Sequence, residues 1–419
     1  MDADVIVIGA GAAGMLAAAT AAGEGRQVLL LEKKEAPGKK LLITGKGRCN
    51  LTNSCDREEF LQNIPANPKF LYSALQAFSV EDCMAYFSGL GVPLKVERGN
   101  RVFPVSDKAA DVVQALINQL DRLGVRLLNG RAVTAIRPLP EGGFSVGTTS
   151  ATRVQGEQEF SCRAVVVATG GLSAPGTGST GDGYQWARSL GHSVKPLLPS
   201  LVPLESEAAW VWAAQGLTLK NVQVTLLVEG KPKANEFGEL LFTHWGVSGP
   251  VVLTLSDLAV QALEKGSRVE LAIDLKPALS QEQLDQRVQR DFGAKLNKQY
   301  KNALGELLPK SLIPVVLQLS GISGEKEVHQ ITKEERLRLV QLLKVLTVPV
   351  SKARSIKEAV VTAGGVSVKE INPRTMESRL VPGLFFAGEI LDVHGYTGGF
   401  NLQIAWSTGF LAGQNAACL

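Results

Sequence analysis

The chain has 419 residues, of which 45% are apolar and 20% charged; this exceeds what one hydrophobic core usually serves and predicts two or three domains. A formal net charge of +4 is too small to argue nucleic-acid binding by itself. Five cysteines without a CxxC pair point to neither a disulfide framework nor a structural zinc site, no apolar run is long enough to span a membrane, and Met1 leads straight into a strand without a cleavable segment, so a reducing, cytoplasmic setting with no metal is expected.

Val5–Ile8 reads as a buried parallel strand, Gly9, Gly11 and Gly14 fill the tight turn that follows, and a small-residue helix over 12–22 offers its N-terminal N–H groups to a pyrophosphate. Glu32 lies 18 residues beyond Gly14, at the end of the next strand. A carboxylate there accepts from ribose hydroxyls and repels a 2′-phosphate. A lysine- and glycine-rich loop spans 37–53, helical stretches cover about 57–91, and a helix is expected near 109–123. "VRLLNGRAVTAIRPL", "GFSVGTT" and "FSCRAVVVATGG" read as strands of a small meander between nucleotide-binding halves. "GDG" at 181–183 opens another helix.

From about Ser193 the pattern turns β-rich. Residues 280–346 then read as helical, with capping-box spacings at Ser280/Gln283 and Thr332/Glu335 and an apolar stripe of Leu337, Val340 and Leu343. The last segment returns to the first domain. The expected division is 1–192 with 359–419 as a nucleotide-binding α/β domain, 193–279 with 347–358 as a β-rich insertion, and 280–346 as a helical subdomain.

Three glycine-rich sites, far apart in sequence, have the form of one dinucleotide held from several sides. The first is Gly9, Gly11, Ala12, Ala13 and Gly14 with Glu32 and Lys33. The second is Thr169, Gly170 and Gly171. In the third, Gly388, Glu389 and Asp392 precede Gly398 and Gly399, which open a C-terminal helix at Phe400, Asn401 and Leu402. NAD needs only the first site, whereas the longer FAD needs a second helix dipole at its flavin end, so the three together favour FAD. Within the 37–53 loop, Lys40, Gly45, Gly47, Arg48, Cys49 and Asn50 are candidates to clamp the cofactor or an incoming phosphate. Cys49 is either a proton donor to substrate carbon or a packing residue. His394 and Tyr396 are candidates for acid catalysis or for orienting the flavin. His244 is a weaker candidate in the insertion, and His192 and His329 have no such context.

The strings at 38–53 ("GKKLLITGKGRCNLTN"), 241–250 ("LFTHWGVSGP"), 362–367 ("TAGGVS") and 383–409 ("GLFFAGEILDVHGYTGGFNLQIAWSTG") resemble the BaiN/RdsA-type flavoproteins, the family also known from YhiN and aminoacetone oxidase. The resemblance implies a two-dinucleotide-binding-domain flavoprotein, a Rossmann-like FAD domain with an inserted β-barrel-like domain and a helical subdomain. It also implies FAD-dependent, NAD(P)H-consuming reduction of an activated C=C bond, uridine to dihydrouridine in ribosomal RNA first. Reduction of a small conjugated enone such as an oxo-bile acid, oxidation of an aminoketone, and a ribosome-associated flavin binder without turnover stand as alternatives. No second glycine fingerprint serves NAD(P)H, which is therefore expected to bind transiently. Two basic runs, six Lys/Arg against two acids over 32–48 and seven against two over 333–357, suit an RNA partner or a solvated face.

Overall fold

The computed structural model describes residues 1–150 and 157–419. The chain forms two compact units, Met1–Leu198 with Ile356–Leu419, and Pro199–Ser355.

In the first unit, Val5–Ile8 (β1), Val28–Glu32 (β2), Arg126–Asn129 (β3), Ala164–Val167 (β4) and Leu384–Phe386 (β5) form a five-stranded sheet. Every pairing is parallel, in the spatial order β3-β2-β1-β4-β5. The strands are apolar and β1, β2, β4 and β5 are buried throughout, as expected of a parallel sheet covered on both faces. The order reverses between β1 and β4. In open parallel sheets the crevice beyond the strand C-termini at that reversal is where ligands bind.

Helix α1 (Ala12–Gly23) follows β1, α2 (Asp182–Ser189) follows β4, and α3 (Phe400–Ala416) ends the chain. A Cβ on Gly409 or Gly413 of α3 would collide with the carbonyl oxygen of Ala13 or Ala17, so the two helices pack backbone against backbone. Small residues on α1 and α3 are required by this close approach. The expected meander is a three-stranded antiparallel sheet of 131–138, 144–150 and 158–162; Arg126–Asn129 and Ala164–Val167, from the same sequence stretches, belong to the parallel sheet instead.

The second unit is built on a seven-stranded sheet. Strands 218–228, 231–242, 269–274 and 346–350 pair antiparallel, and the two ends of the sheet are consecutive pieces of one segment, 346–350 and 352–353. Between them the Ser351 N–H donates to the Glu205 carbonyl at 2.9 Å. That shared segment curls the sheet into a barrel-like body. The helices at 281–293, 313–320 and 333–344 share one apolar core with it, Leu284, Val288, Leu339 and Leu343 clustering with Leu271 and Ile273. Both expected capping boxes are formed, at Ser280/Gln283 and Thr332/Glu335. Of the expected stripe Val340 and Leu343 are buried, together with Leu339, whereas Leu337 is exposed.

Candidate active site

Because β1, β4 and β5 run parallel, their C-terminal ends share one edge, and each is followed by one of the three glycine-rich segments. The Ala168 N–H donates to Ile8 at 2.9 Å and the Ala387 N–H to Val167 at 3.1 Å, carrying the ladder up to the first residue of each turn. Gly9 has φ +99°, and a Cβ there would lie 2.6 Å from the Ala168 oxygen. A Cβ on Gly14 would strike the Gly9 oxygen, whereas one on Gly11 would meet no protein atom within 4 Å. Gly9 and Gly14 are thus glycines for the fold. Gly11 borders open space beside the N-terminus of α1, as a cradle for a bound phosphate requires.

Glu32 is buried. Its Oε2 accepts from the Ala10 N–H at 2.9 Å and its Oε1 from the Lys34 N–H at 2.8 Å, so the acid expected to hold a ribose also fastens the phosphate turn. Each carboxylate oxygen retains acceptor capacity for a hydroxyl.

A second polar centre joins the second and third segments to the 37–53 loop and to Thr362. Lys40 Nζ lies 2.6 Å from Glu389 Oε2 and 2.7 Å from Ser173 Oγ. Glu389 Oε1 accepts from the Thr362 N–H at 2.9 Å and from Ser173 Oγ at 2.8 Å. Thr362 Oγ1 accepts from the N–H groups of Leu172 and Ser173 at 2.8 and 3.0 Å. Burial opposes ionisation of Glu389, but Lys40 and these donors win and hold its carboxyl below the ordinary value. Gly171 has no room for a Cβ because Thr362 Oγ1 fills the place. Gly388 has φ +77° and donates its N–H to Thr408 Oγ1 at 2.9 Å. Ser173, Thr362 and Thr408 were not expected from sequence; the signal for Thr362 was a lone hydroxyl within an apolar run at "VVTAGG" and for Thr408 the Ser407–Thr408 pair at "IAWSTG".

At the N-terminus of α3, Gly398 and Gly399 have φ +131° and +106°, and a Cβ on Gly399 would run into the backbone of Thr52. Asn53 Nδ2 donates to the Gly398 carbonyl at 3.0 Å and Trp406 Nε1 to that of Leu51 at 3.0 Å, so segment 51–53 is seated on the start of the helix. Asn50 Oδ1, Thr52 Oγ1 and Thr169 Oγ1 are buried without a hydrogen-bond partner among the described residues. Such atoms are costly unless a ligand or water satisfies them. Asn401 exchanges hydrogen bonds with Gly395, its Oδ1 accepting at 2.8 Å and its Nδ2 donating at 2.6 Å, and Nδ2 also reaches the Tyr396 carbonyl. This fixes the loop that carries the buried His394 and half-buried Tyr396. Burial raises the Asp392 carboxyl above its ordinary value, against the hydrogen bond from Asn67 at 3.1 Å. Phe400 is buried edge-on to Phe60, ring centroids 5.2 Å apart, and Leu402 is half-buried.

Several sequence expectations are corrected. The 37–53 loop contains a short helix, Lys39–Ile43, and a turn with φ +55° at Gly45 and +84° at Gly47. Two of its four cations, Lys40 and Arg48, and the neighbouring Lys33 are committed to protein acids. Lys40 is the counter-ion of Glu389; Arg48 bonds Glu97 and Asp107 and lies 4.1 Å over the Phe103 ring; and Lys33 pairs with Asp182 at 2.6 Å. In the second basic run Arg336 pairs with Asp285, Lys344 with Asp274, and Lys352 and Arg354 with Glu205. Cys49 is fully buried, and its thiol is pushed up to about 12 by burial, against a hydrogen bond to Thr44. A thiol so enclosed and so weakly acidic is a packing residue rather than a proton donor. His192 is buried with Nε2 2.9 Å from Ser378 Oγ, and His244 is exposed beside Trp245 in the second unit. Among the described residues no group of three His, Cys, Asp or Glu is placed to hold a metal ion, and no helix is long and apolar enough to cross a membrane.

The model of the HI0933-like protein Rossmann domain matches residues 3–415. The chain belongs to the HI0933-like family. It is 35% identical to a 3-dehydro-bile acid delta(4,6)-reductase of Clostridium scindens, over 98% of each chain. It is 34% identical to a ribosomal RNA dihydrouridine synthase of Escherichia coli, over 98% of this chain and 97% of that one. Among solved structures, a 3-ketosteroid delta1-dehydrogenase from Sterolibacterium denitrificans superposes with a TM-score of 0.55 at 14% identity, over 99% of both chains, and a 3-ketosteroid-delta4-(5alpha)-dehydrogenase from Rhodococcus jostii with 0.54 at 16%, over 99% and 96%; these establish the fold. The HI0933-like protein is a FAD-dependent oxidoreductase by family. The open cradle at Gly11 and the unpartnered Asn50, Thr52 and Thr169 oxygens fit such a cofactor.

Proposed function

We propose that this HI0933-like enzyme reduces a C=C bond conjugated to a carbonyl, with NAD(P)H as reductant and uridine in ribosomal RNA as the leading substrate. The observation that carries the reading is the near-complete alignment with two relatives named for such reductions. Both names describe saturation of a C=C bond, a step that adds hydride to one carbon and a proton to its neighbour. When bound, FAD supplies the two-electron relay between nicotinamide and substrate.

The chain's own groups position the cofactor and deliver the proton. The amides at the start of α1, with the Gly9–Gly14 turn held by Glu32, bind the pyrophosphate. Asn50, Thr52 and the first N–H groups of α3 bind the polar edge of the ring system, where helix-end partial charge favours an electron-rich group. Tyr396 and His394, on the loop pinned by Asn401, are the proton donors in reach of that end. In this reading 1–192 with 359–419 is the FAD-binding domain, 193–279 with 347–358 the β-rich insertion and 280–346 a helical subdomain.

A small conjugated enone is the second reading, favoured by the acid partners of Lys33, Lys40 and Arg48 in the first basic run and of Arg336, Lys344, Lys352 and Arg354 in the second. The deciding experiment measures dihydrouridine in ribosomal RNA from cells with and without the gene. Equal content in both, together with NAD(P)H-dependent turnover of an enone, selects the second reading.

A further inference from the structure

The second unit contains a cleft of about 270 Å³ between the first residues of strand 218–228, Leu275–Lys276 and the 307–309 turn. Its lining combines the buried Leu219, Val222, Leu275 and Leu308 with Pro309 and two lysines, Lys220 and Lys276. The strand is bulged at this point: its register against 231–242 shifts between Leu219 and Val222, and Asn221 takes φ +54°. A bulge leaves residues outside the ladder and re-aims side chains, and here it falls on the cleft wall next to Lys220.

The charge in the cleft is unbalanced. Among the described residues, neither lysine ammonium has a hydrogen bond or ion pair, while the nearby acids are taken. Asp274 is held by Lys344 at 2.5 Å and Asp291 by Arg287 at 2.8 Å. Lys276 is half-buried, and burial, reinforced by repulsion from Arg287, holds its ammonium below the ordinary lysine value. A partly desolvated cation without a counter-ion above an apolar floor is a site for an anion that carries an apolar body.

We propose that this cleft binds a small organic anion, a carboxylate or phosphate monoester on an aromatic or aliphatic group, whose charge is taken by Lys276 and Lys220 and whose apolar part rests on Leu219, Leu275 and Leu308. The site is built entirely from residues of the second unit.

The test is calorimetric titration of the flavin-loaded protein with phenyl phosphate, benzoate and inorganic phosphate. Phenyl phosphate or benzoate is expected to bind at least about tenfold more tightly than inorganic phosphate, through the apolar floor. Which of the two binds better distinguishes a phosphate monoester from a carboxylate. Lys276→Gln should weaken the better ligand about tenfold or more, the loss of one charge-assisted hydrogen bond, and Lys276→Arg should restore most of it. Among the described residues the Lys276 ammonium has no hydrogen bond or ion pair, so flavin content and circular dichroism of the variants should match the parent. No binding of any probe at about 10 mM, equal binding of inorganic phosphate, or full affinity in Lys276→Gln would each overturn the proposal.

Discussion

Replacing Lys40 by Met tests whether the Lys40–Glu389–Ser173–Thr362 centre ties the second and third glycine-rich segments to the 37–53 loop. In the parent, Glu389 accepts one bond from the ammonium and two from neutral donors, with side chains 25% and 19% exposed for Lys40 and Glu389. One charge-assisted hydrogen bond is worth about 1.5–3 kcal/mol, and breaking a fully buried ion pair by removing one partner costs about 3–5 kcal/mol. Partial exposure places the expected loss near the lower range, about 2–3 kcal/mol at pH 7. The sign with pH follows from the depressed Glu389 carboxyl. Its stabilising contribution is complete above the ordinary glutamate range and is lost as pH falls through the depressed value. In Lys40→Met burial is opposed only by the Ser173 and Thr362 donors, and the Glu389 carboxyl rises relative to the parent, so the variant is worst near neutrality and recovers as Glu389 takes up a proton. Urea unfolding of the flavin-free protein, followed by circular dichroism from pH 7 down to pH 4, should show the gap between parent and variant closing. A gap that stays constant with pH, or one below about 0.5 kcal/mol at pH 7, refutes the assignment.

The two glycines of the first turn should separate. Gly11→Ala is expected to leave flavin-free stability within about 0.5 kcal/mol and to empty the protein of FAD, whereas Gly14→Ala should lower both; retained flavin in Gly11→Ala would remove the phosphate from that turn. Cys49→Ala should keep flavin content and both half-reactions, and selective slowing of substrate reduction would reinstate the thiol as an acid. Tyr396→Phe should keep flavin reduction by NAD(P)H and slow substrate reduction by about 10²-fold or more, and equal rates in both steps would move the proton donor elsewhere. If ribosomal RNA is the substrate, charge reversal at Lys39 and Lys46, which have no acid partner among the described residues, should flatten the dependence of log affinity on log salt by about 0.7–0.9 per lost phosphate contact. Filter binding across a salt series measures it, and an unchanged slope excludes these lysines from the RNA path.

Much of the first unit was legible in the sequence because its signals are local. Four apolar residues before Gly9, small residues along 12–22 and an acid at 32 leave one arrangement of strand, turn and helix, and the capping boxes at 280 and 332 mark helix starts through contacts three residues apart. The partners of charged side chains were not legible, since pairing depends on residues brought together from far along the chain. Lys40 and Arg48 read as free cations for a phosphate, yet Glu389 lies 349 positions from Lys40 and Glu97 49 from Arg48. Cys49 read as either a proton donor or a packing residue, because enclosure is set by what packs over it. The amino-acid sequence by itself determined most of the elements, the glycine turn after β1 and the family. Only the tertiary structure decided which glycines make room for a ligand and which for their own backbone, and which charges remain for chemistry, because both depend on atoms that folding brings within a few ångströms.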